Sequence, residues 1–132
     1  MAATVLFVCL HGSAKSLIVA EHFRRLAGAR GLATEADSGG LEPDDAIPAR
    51  VVQGLRDDGI DVQGRRPRRP TAADVDGATV VVSFCDLAEL APHARRIERW
   101  DDVPAVSEGF EQARDAIVAR VSRLLDDASF RQ

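Results

Sequence analysis

A chain of 132 residues with 45% hydrophobic and 29% charged side chains is long enough to bury a core and is not of disordered composition. Its net charge of −4 argues against general binding to nucleic acid or to a membrane surface. No apolar run approaches the ~20 residues that span a bilayer, and the first residues lack the basic-then-apolar pattern of a secretory leader, so a cytoplasmic protein is expected.

The first element is an apolar run, Val5–Val8, too short for a helix and β-branched or aromatic at three of its four positions. It reads as a strand buried on both faces, ending on Cys9. Gly12, Ser13 and Ala14 follow, small enough for the backbone to curl and turn several N–H groups into one concavity. Lys15 and Ser16 then open a helix expected to run to about Arg30, with Leu17, Ala20, Phe23 and Leu26–Ala27 at core spacing. The positive end of that helix makes the loop an anion cradle, with Lys15 as a second positive group. A cysteine at its lip sits where a thiolate is favoured, although a buried, unreactive strand-end thiol would satisfy the same pattern.

A second strand is expected over Thr34–Ser38, closed by a turn at Ser38-Gly39-Gly40. Asp44 or Asp45 is placed to cap a helix over Ala46–Asp57, with Pro48 in its first turn and Gly59 ending it. The segment Ile60–Thr71 lacks periodicity and carries Arg65, Arg66, Arg68 and Arg69 around Pro67. Such a run reads either as a solvated loop or as a positive rim drawing anions to a cleft. Thr79–Phe84 reads as a third buried strand, ending on Cys85. A short helix over Asp86–Leu90, a brief strand over Arg96–Trp100 and a helix of about twenty residues capped by Ser107 complete the chain.

Strands alternating with helices predict an α/β three-layer sandwich around a four-stranded parallel sheet, forming one domain over 1–132. In such sheets the ligand lies beyond the carboxyl ends of the strands, where both Cys9 and Cys85 fall. The two thiols are therefore candidates to face one pocket. In a reducing compartment they do not form a structural disulfide framework. Cys85 remains open between a redox partner and a core thiol. His11 has no partner nearby in sequence and is expected to face solvent. No pattern calls for a metal or an organic cofactor.

The spacing Cys9-x5-Lys15-Ser16 resembles the Cys-x5-Arg-Ser/Thr loop of the low-molecular-weight protein tyrosine phosphatase superfamily, which includes the thioredoxin-coupled arsenate reductases. Ser38-Gly39-Gly40, Pro48-Ala49, Gly59-Ile60-Asp61, Val80–Asp86, Trp100 and Phe110–Asp115 extend the likeness along nearly the whole chain. The arsenate reductase branch fits better: Cys85 falls at that branch's second redox cysteine, and the chain has no tyrosine for the aromatic lip of the phosphatases.

The resemblance implies that Cys9 attacks a tetrahedral oxyanion held by the backbone N–H groups of Leu10, His11, Gly12, Ser13, Ala14 and Lys15, with Ser13 or Ser16 bonded to the sulfur. Asp101 or Asp102 would protonate the leaving oxygen. With arsenate, Cys85 would form a disulfide with Cys9, and thioredoxin or a low-molecular-weight thiol would reduce it. With a phosphate monoester or a phosphorylated protein, water would hydrolyse phosphocysteine instead. Four departures stand against this pattern: Lys15 replaces the loop arginine, Gly12 the loop asparagine and Ala91 the third redox cysteine, and the Asp-Pro pair of the general acid is broken. A binding module that keeps the cradle without turnover is the alternative in another class.

Overall fold

The computed structural model describes residues 3–126, so the domain expected over 1–132 extends at both ends beyond the described residues. Four strands, β1 (Ala3–Cys9), β2 (Thr34–Gly40), β3 (Val80–Ser83) and β4 (Ile97–Arg99), form one sheet in the order β2-β1-β3-β4, every pairing parallel. The helices are α1 (Lys15–Ala29), α2 (Ala49–Asp57), α3 (Ala72–Gly77) and α4 (Phe110–Leu125), with 3₁₀ turns at Ala88–His93 and Val106–Glu108. This is the expected α/β sandwich.

Successive side chains of a strand point to opposite faces, and β1 is apolar on both. Val5 and Phe7 join a core with Ile18 and Phe23 of α1, Trp100, and Ile117 and Val121 of α4. Leu6 and Val8 join a second one with Val75 of α3, Val81 of β3, and Leu87 and Leu90. Phe7 packs its ring against Phe23 at 5.6 Å and Trp100 at 6.2 Å between centroids. Each fully buried large apolar side chain contributes about 1.5–3 kcal/mol. Packing on this first face therefore outweighs helix propensity in holding α1 and α4 in place.

Several boundaries differ from expectation. β2 runs on through Gly39 and Gly40, which pair with Val8 and Cys9 rather than turning. Neither Asp44 nor Asp45 caps α2; the helix starts at Ala49 with Pro48 at its N-cap in an extended conformation and no side-chain cap. Ser107 does not cap α4 but sits in the preceding 3₁₀ turn, and Gly109 takes the cap position. The short helix expected over Asp86–Leu90 is the 3₁₀ turn Ala88–His93. Helix α3 was not expected, although Thr71 and Asp74 form a reciprocal capping box whose Thr-x-x-Asp spacing is visible in the sequence.

The arginine run is no rim of the cleft described below. Arg65 pairs with Glu21, Arg68 with Asp37 and Asp74, and Arg69 with Glu89. Arg66 lines a separate depression, beside Arg56 and Gln63.

Candidate active site: a thiol at the mouth of the sheet

β1 delivers Cys9 to the carboxyl edge of the sheet, and α1 begins six residues later, at Lys15. The intervening turn is tight because of two glycines. Gly12 adopts φ +66°, in the left-handed region that glycine enters without cost. Gly40 of β2 lies so close that a Cβ there would stand 2.4 Å from the Gly12 nitrogen and 2.5 Å from the His11 carbonyl carbon. The chain after β2 then runs beside the loop and ties it down. The N–H groups of Leu41, Glu42 and Asp44 donate to the carbonyl oxygens of Cys9, Leu10 and His11 at 3.2, 2.7 and 3.1 Å.

Within this frame Cys9 is buried, and its Sγ meets the Ser16 hydroxyl at 3.0 Å and the Gly12 N–H at 3.1 Å. A hydroxyl and a backbone N–H thus converge on one sulfur at the start of a helix. Of the two candidate serines, Ser16 reaches the sulfur, whereas Ser13 Oγ donates to Asp44 Oδ2 at 2.6 Å. No side chain caps the N-terminus of α1, and its first turn holds no acidic residue. Its positive end is therefore left to an anion.

Above the sulfur opens a cleft of about 330 Å³. Leu10, His11, Ser13, Ala14 and Lys15 line one side, Phe84 and Cys85 another, and Ala105, Val106 and Ser107 a third; Asp44, Pro48 and Arg50 complete it. Cys9 and Cys85, from β1 and from the end of β3, thus share one cleft. Burial pushes the Cys85 thiol up, a hydrogen bond from Ser83 offsets this in part, and the neighbouring Cys9 adds to the rise. Lys15 Nζ lies 5.9 Å from the centre of the Phe84 ring, a cation–π distance.

Asp101 and Asp102 are not among the cleft's lining residues. Asp101 accepts a hydrogen bond from Arg99 Nε at 2.7 Å, and Asp102 pairs with Arg120, which holds its carboxyl below the usual range. His11 is exposed, as expected, but it has partners: its Nδ1 lies 3.1 Å from the Glu42 carbonyl oxygen and 3.6 Å from Asp44 Oδ1. Asp44, Arg50, Phe84 and the segment 105–107 were not anticipated as cleft residues. The stretch 41–48 has no periodicity, and its aspartates read most simply as helix caps. Among the described residues no group of three or more histidine, cysteine, aspartate or glutamate side chains is placed to hold a metal ion. Nor is any described helix long and apolar enough to cross a membrane.

The family model for low molecular weight phosphotyrosine protein phosphatase matches residues 4–106. The chain belongs to that family. Over 127 residues it is 27% identical to a putative arsenate reductase of Halobacterium salinarum, covering 92% of this chain and 89% of the relative. Its fold is similar to that of a low molecular weight protein tyrosine phosphatase from T. tengcongensis, with a TM-score of 0.83 at 21% identity over 95% of this chain and 99% of the other. It is also similar to an arsenate reductase solved in a phosphate-binding state, with a TM-score of 0.73 at 22% identity over 94% and 97% of the two chains.

Proposed function

We propose that this family member uses Cys9 as a nucleophile on a small tetrahedral oxyanion and that arsenate reduction is its reaction. The observation that carries this reading is the second thiol, Cys85, on the same cleft as the first. The loop N–H groups, the α1 terminus and Lys15 bind the anion, with Lys15 as a point charge rather than a bidentate fork. Cys9 sulfur attacks arsenic, and one arsenate oxygen leaves as water. Cys85 thiolate then attacks Cys9 Sγ. The S–S bond forms as the S–As bond breaks, its electron pair stays on arsenic, and arsenite departs while the two thiols are oxidised. Because Ala91 stands where a third redox cysteine would be, thioredoxin or a low-molecular-weight thiol reduces the disulfide.

A second reading, hydrolysis of a phosphate monoester or phosphorylated protein through phosphocysteine, is favoured by the state of Cys85. Burial holds that thiol protonated and slows it as an attacking group, which gives water time to act on the Cys9 adduct. The test is a single turnover of the reduced protein with arsenate, read by mass spectrometry, beside p-nitrophenyl phosphate turnover. A Cys9–Cys85 disulfide that is absent in Cys9→Ser and Cys85→Ser supports the reductase. Ester turnover that survives Cys85→Ser, without the disulfide, supports the phosphatase. Phosphate binding with neither reaction would leave a binding module and reject both enzyme readings.

A further inference from the structure

We propose that His11 is the proton donor to the departing oxygen at this cleft and that Asp44 is the residue that positions it. The proposal rests on Cys9 being the nucleophile. Attack from the floor of the cleft pushes the leaving oxygen away from the sulfur, toward the mouth, and that oxygen needs a proton as its bond breaks. Among the described residues the titratable groups lining the cleft are Cys9, His11, Lys15, Asp44, Arg50 and Cys85. Cys9 is the attacking group. Lysine and arginine hold their protons too tightly to serve near neutral pH, and the half-buried Cys85 thiol, pushed up by desolvation, is a poor donor for the same reason. Asp44 accepts a hydrogen bond on one oxygen, from Ser13 Oγ to Oδ2 at 2.6 Å, and turns the other, Oδ1, toward His11 Nδ1 at 3.6 Å. Carboxyl groups ordinarily give up their proton well below neutral pH.

His11 is the remaining group, and its surroundings select the nitrogen that acts. A carbonyl oxygen only accepts, so the Glu42 carbonyl 3.1 Å away keeps a proton on Nδ1. Nε2 is then the nitrogen that gains and loses a proton. No hydrogen bond from another described residue engages it, and the side chain is 54% exposed at the cleft's lip, where a substrate can reach it. Imidazole changes charge in the physiological range. The backbone bonds from Glu42 and Asp44 to Leu10 and His11 hold donor and partner side by side on two adjoining strips of chain. The two aspartates that family resemblance would supply for this task are held outside the cleft by Arg99 and Arg120.

The step balances as follows. Sulfur bonds to phosphorus or arsenic, the bond to the leaving oxygen breaks, and the Nε2 proton passes to that oxygen, giving an alcohol, a phenol or water. In the phosphatase reading neutral Nε2 then takes a proton from the attacking water as phosphate leaves and Cys9 thiolate is restored.

The test compares kcat/KM for phenyl phosphate and p-nitrophenyl phosphate, whose leaving groups differ in their need for a proton, in wild type, H11Q, D44N, D101N and D102N. H11Q is expected to lose about a hundredfold or more on phenyl phosphate and less than about tenfold on p-nitrophenyl phosphate. D44N, which keeps an acceptor for Ser13, shows the same selectivity to a smaller degree, whereas D101N and D102N treat the two esters alike. An equal loss on both esters in H11Q, or a selective loss in D101N or D102N, overturns the proposal. Retained phosphate affinity separates a lost proton donor from a misfolded loop. If wild type acts on arsenate alone, the comparison becomes the single-turnover rate of disulfide formation, expected to fall about a hundredfold in H11Q and overturning the proposal if unchanged. A wild type inert toward all three substrates overturns the nucleophile reading itself, and this proposal with it.

Discussion

Replacing Gly40 with alanine sets a methyl group against the backbone of the loop between Cys9 and Lys15. The new Cβ would stand 2.4 Å from Gly12 N, 2.5 Å from the His11 carbonyl carbon and 2.8 Å from Gly12 Cα. All three are backbone atoms, so no rotamer change relieves the contact. Reaching an ordinary separation of about 3.5 Å requires the loop to retreat by roughly 1 Å. That movement strains the Leu41-to-Cys9 and Glu42-to-Leu10 hydrogen bonds, at 3.2 and 2.7 Å, and draws the Gly12 N–H from the Cys9 sulfur. Overpacking of about 1–3 kcal/mol and about 1 kcal/mol for each of the two strained backbone bonds give a loss of about 3–5 kcal/mol. Gly28 is the control. It lies within α1, and a Cβ there meets nothing within 4 Å. G28A is expected to gain about 0.5–1 kcal/mol from reduced chain entropy. Urea denaturation gives both numbers, and the alkylation rate of Cys9 by iodoacetamide, measured in a Cys85→Ser background, reports the sulfur's environment. If G40A is within about 0.5 kcal/mol of wild type, a surface-like value, and Cys9 reacts at an unchanged rate, the view that this glycine contact shapes the cradle is refuted.

K15R should tighten phosphate binding about tenfold, because a planar fork makes paired hydrogen bonds where an ammonium makes a point contact; titration calorimetry measures it, and an unchanged Kd would mean that the loop N–H groups carry the binding alone. Arsenate-driven disulfide formation should quicken by about tenfold per pH unit between pH 7 and 9, since the thiolate attacks and burial pushes Cys85 up; a flat single-turnover profile would assign the slow step elsewhere. His22 predicts a stability change on acidification. Its Nε2 lies 3.3 Å from Asp58 Oδ2, but neither atom has a hydrogen-bond partner, and burial, opposed by Asp58, lowers the imidazole below its usual range. The unfolded chain then binds the proton more readily, so stability from this group is complete above about pH 6.5 and is lost as pH falls through the lowered folded value. H22Q should flatten that part of the stability curve, as measured by urea midpoints at pH 7.5 and 5.5.

What the sequence made legible is what short-range patterns decide. Val5–Val8 is apolar at every position because the strand has two cores to fill, and that continuity is readable without knowing what fills them. The same holds for Cys9 at the strand end, the small loop residues and the start of α1 within one residue of its expected place. The reach of β2 through Gly39 and Gly40 was hidden because those glycines answer to Gly12 and Pro70, distant in sequence, and not to a local turn. The Thr71–Asp74 capping box is legible as a spacing, but the six-residue helix it starts is too short to show an apolar period beside the arginine-rich segment.

The site divides along the same line, and the division bears on how the family's chemistry is built here. The loop residues at the proposed site, Cys9, Gly12, Lys15 and Ser16, could be named from spacing. Cys85 could be named because a parallel sheet brings its strand ends to one edge. Asp44 could not, since it has no local reason to be in the cleft, and of His11 only the backbone N–H was named, because its side-chain partners come from the strip after β2. Asp44 leaves its expected capping role because three backbone hydrogen bonds carry the strip beyond β2 along the loop and present its carboxylate to Ser13. Asp101 and Asp102, named by analogy with a broken motif, are drawn instead to Arg99 and Arg120. A cradle is a property of one contiguous loop, whereas an acid or a second cation is a property of whatever segment the fold lays beside it. Changing Arg120 should therefore loosen Asp102 without altering the cleft, whereas changing Ser13 should release Asp44 and be felt at His11.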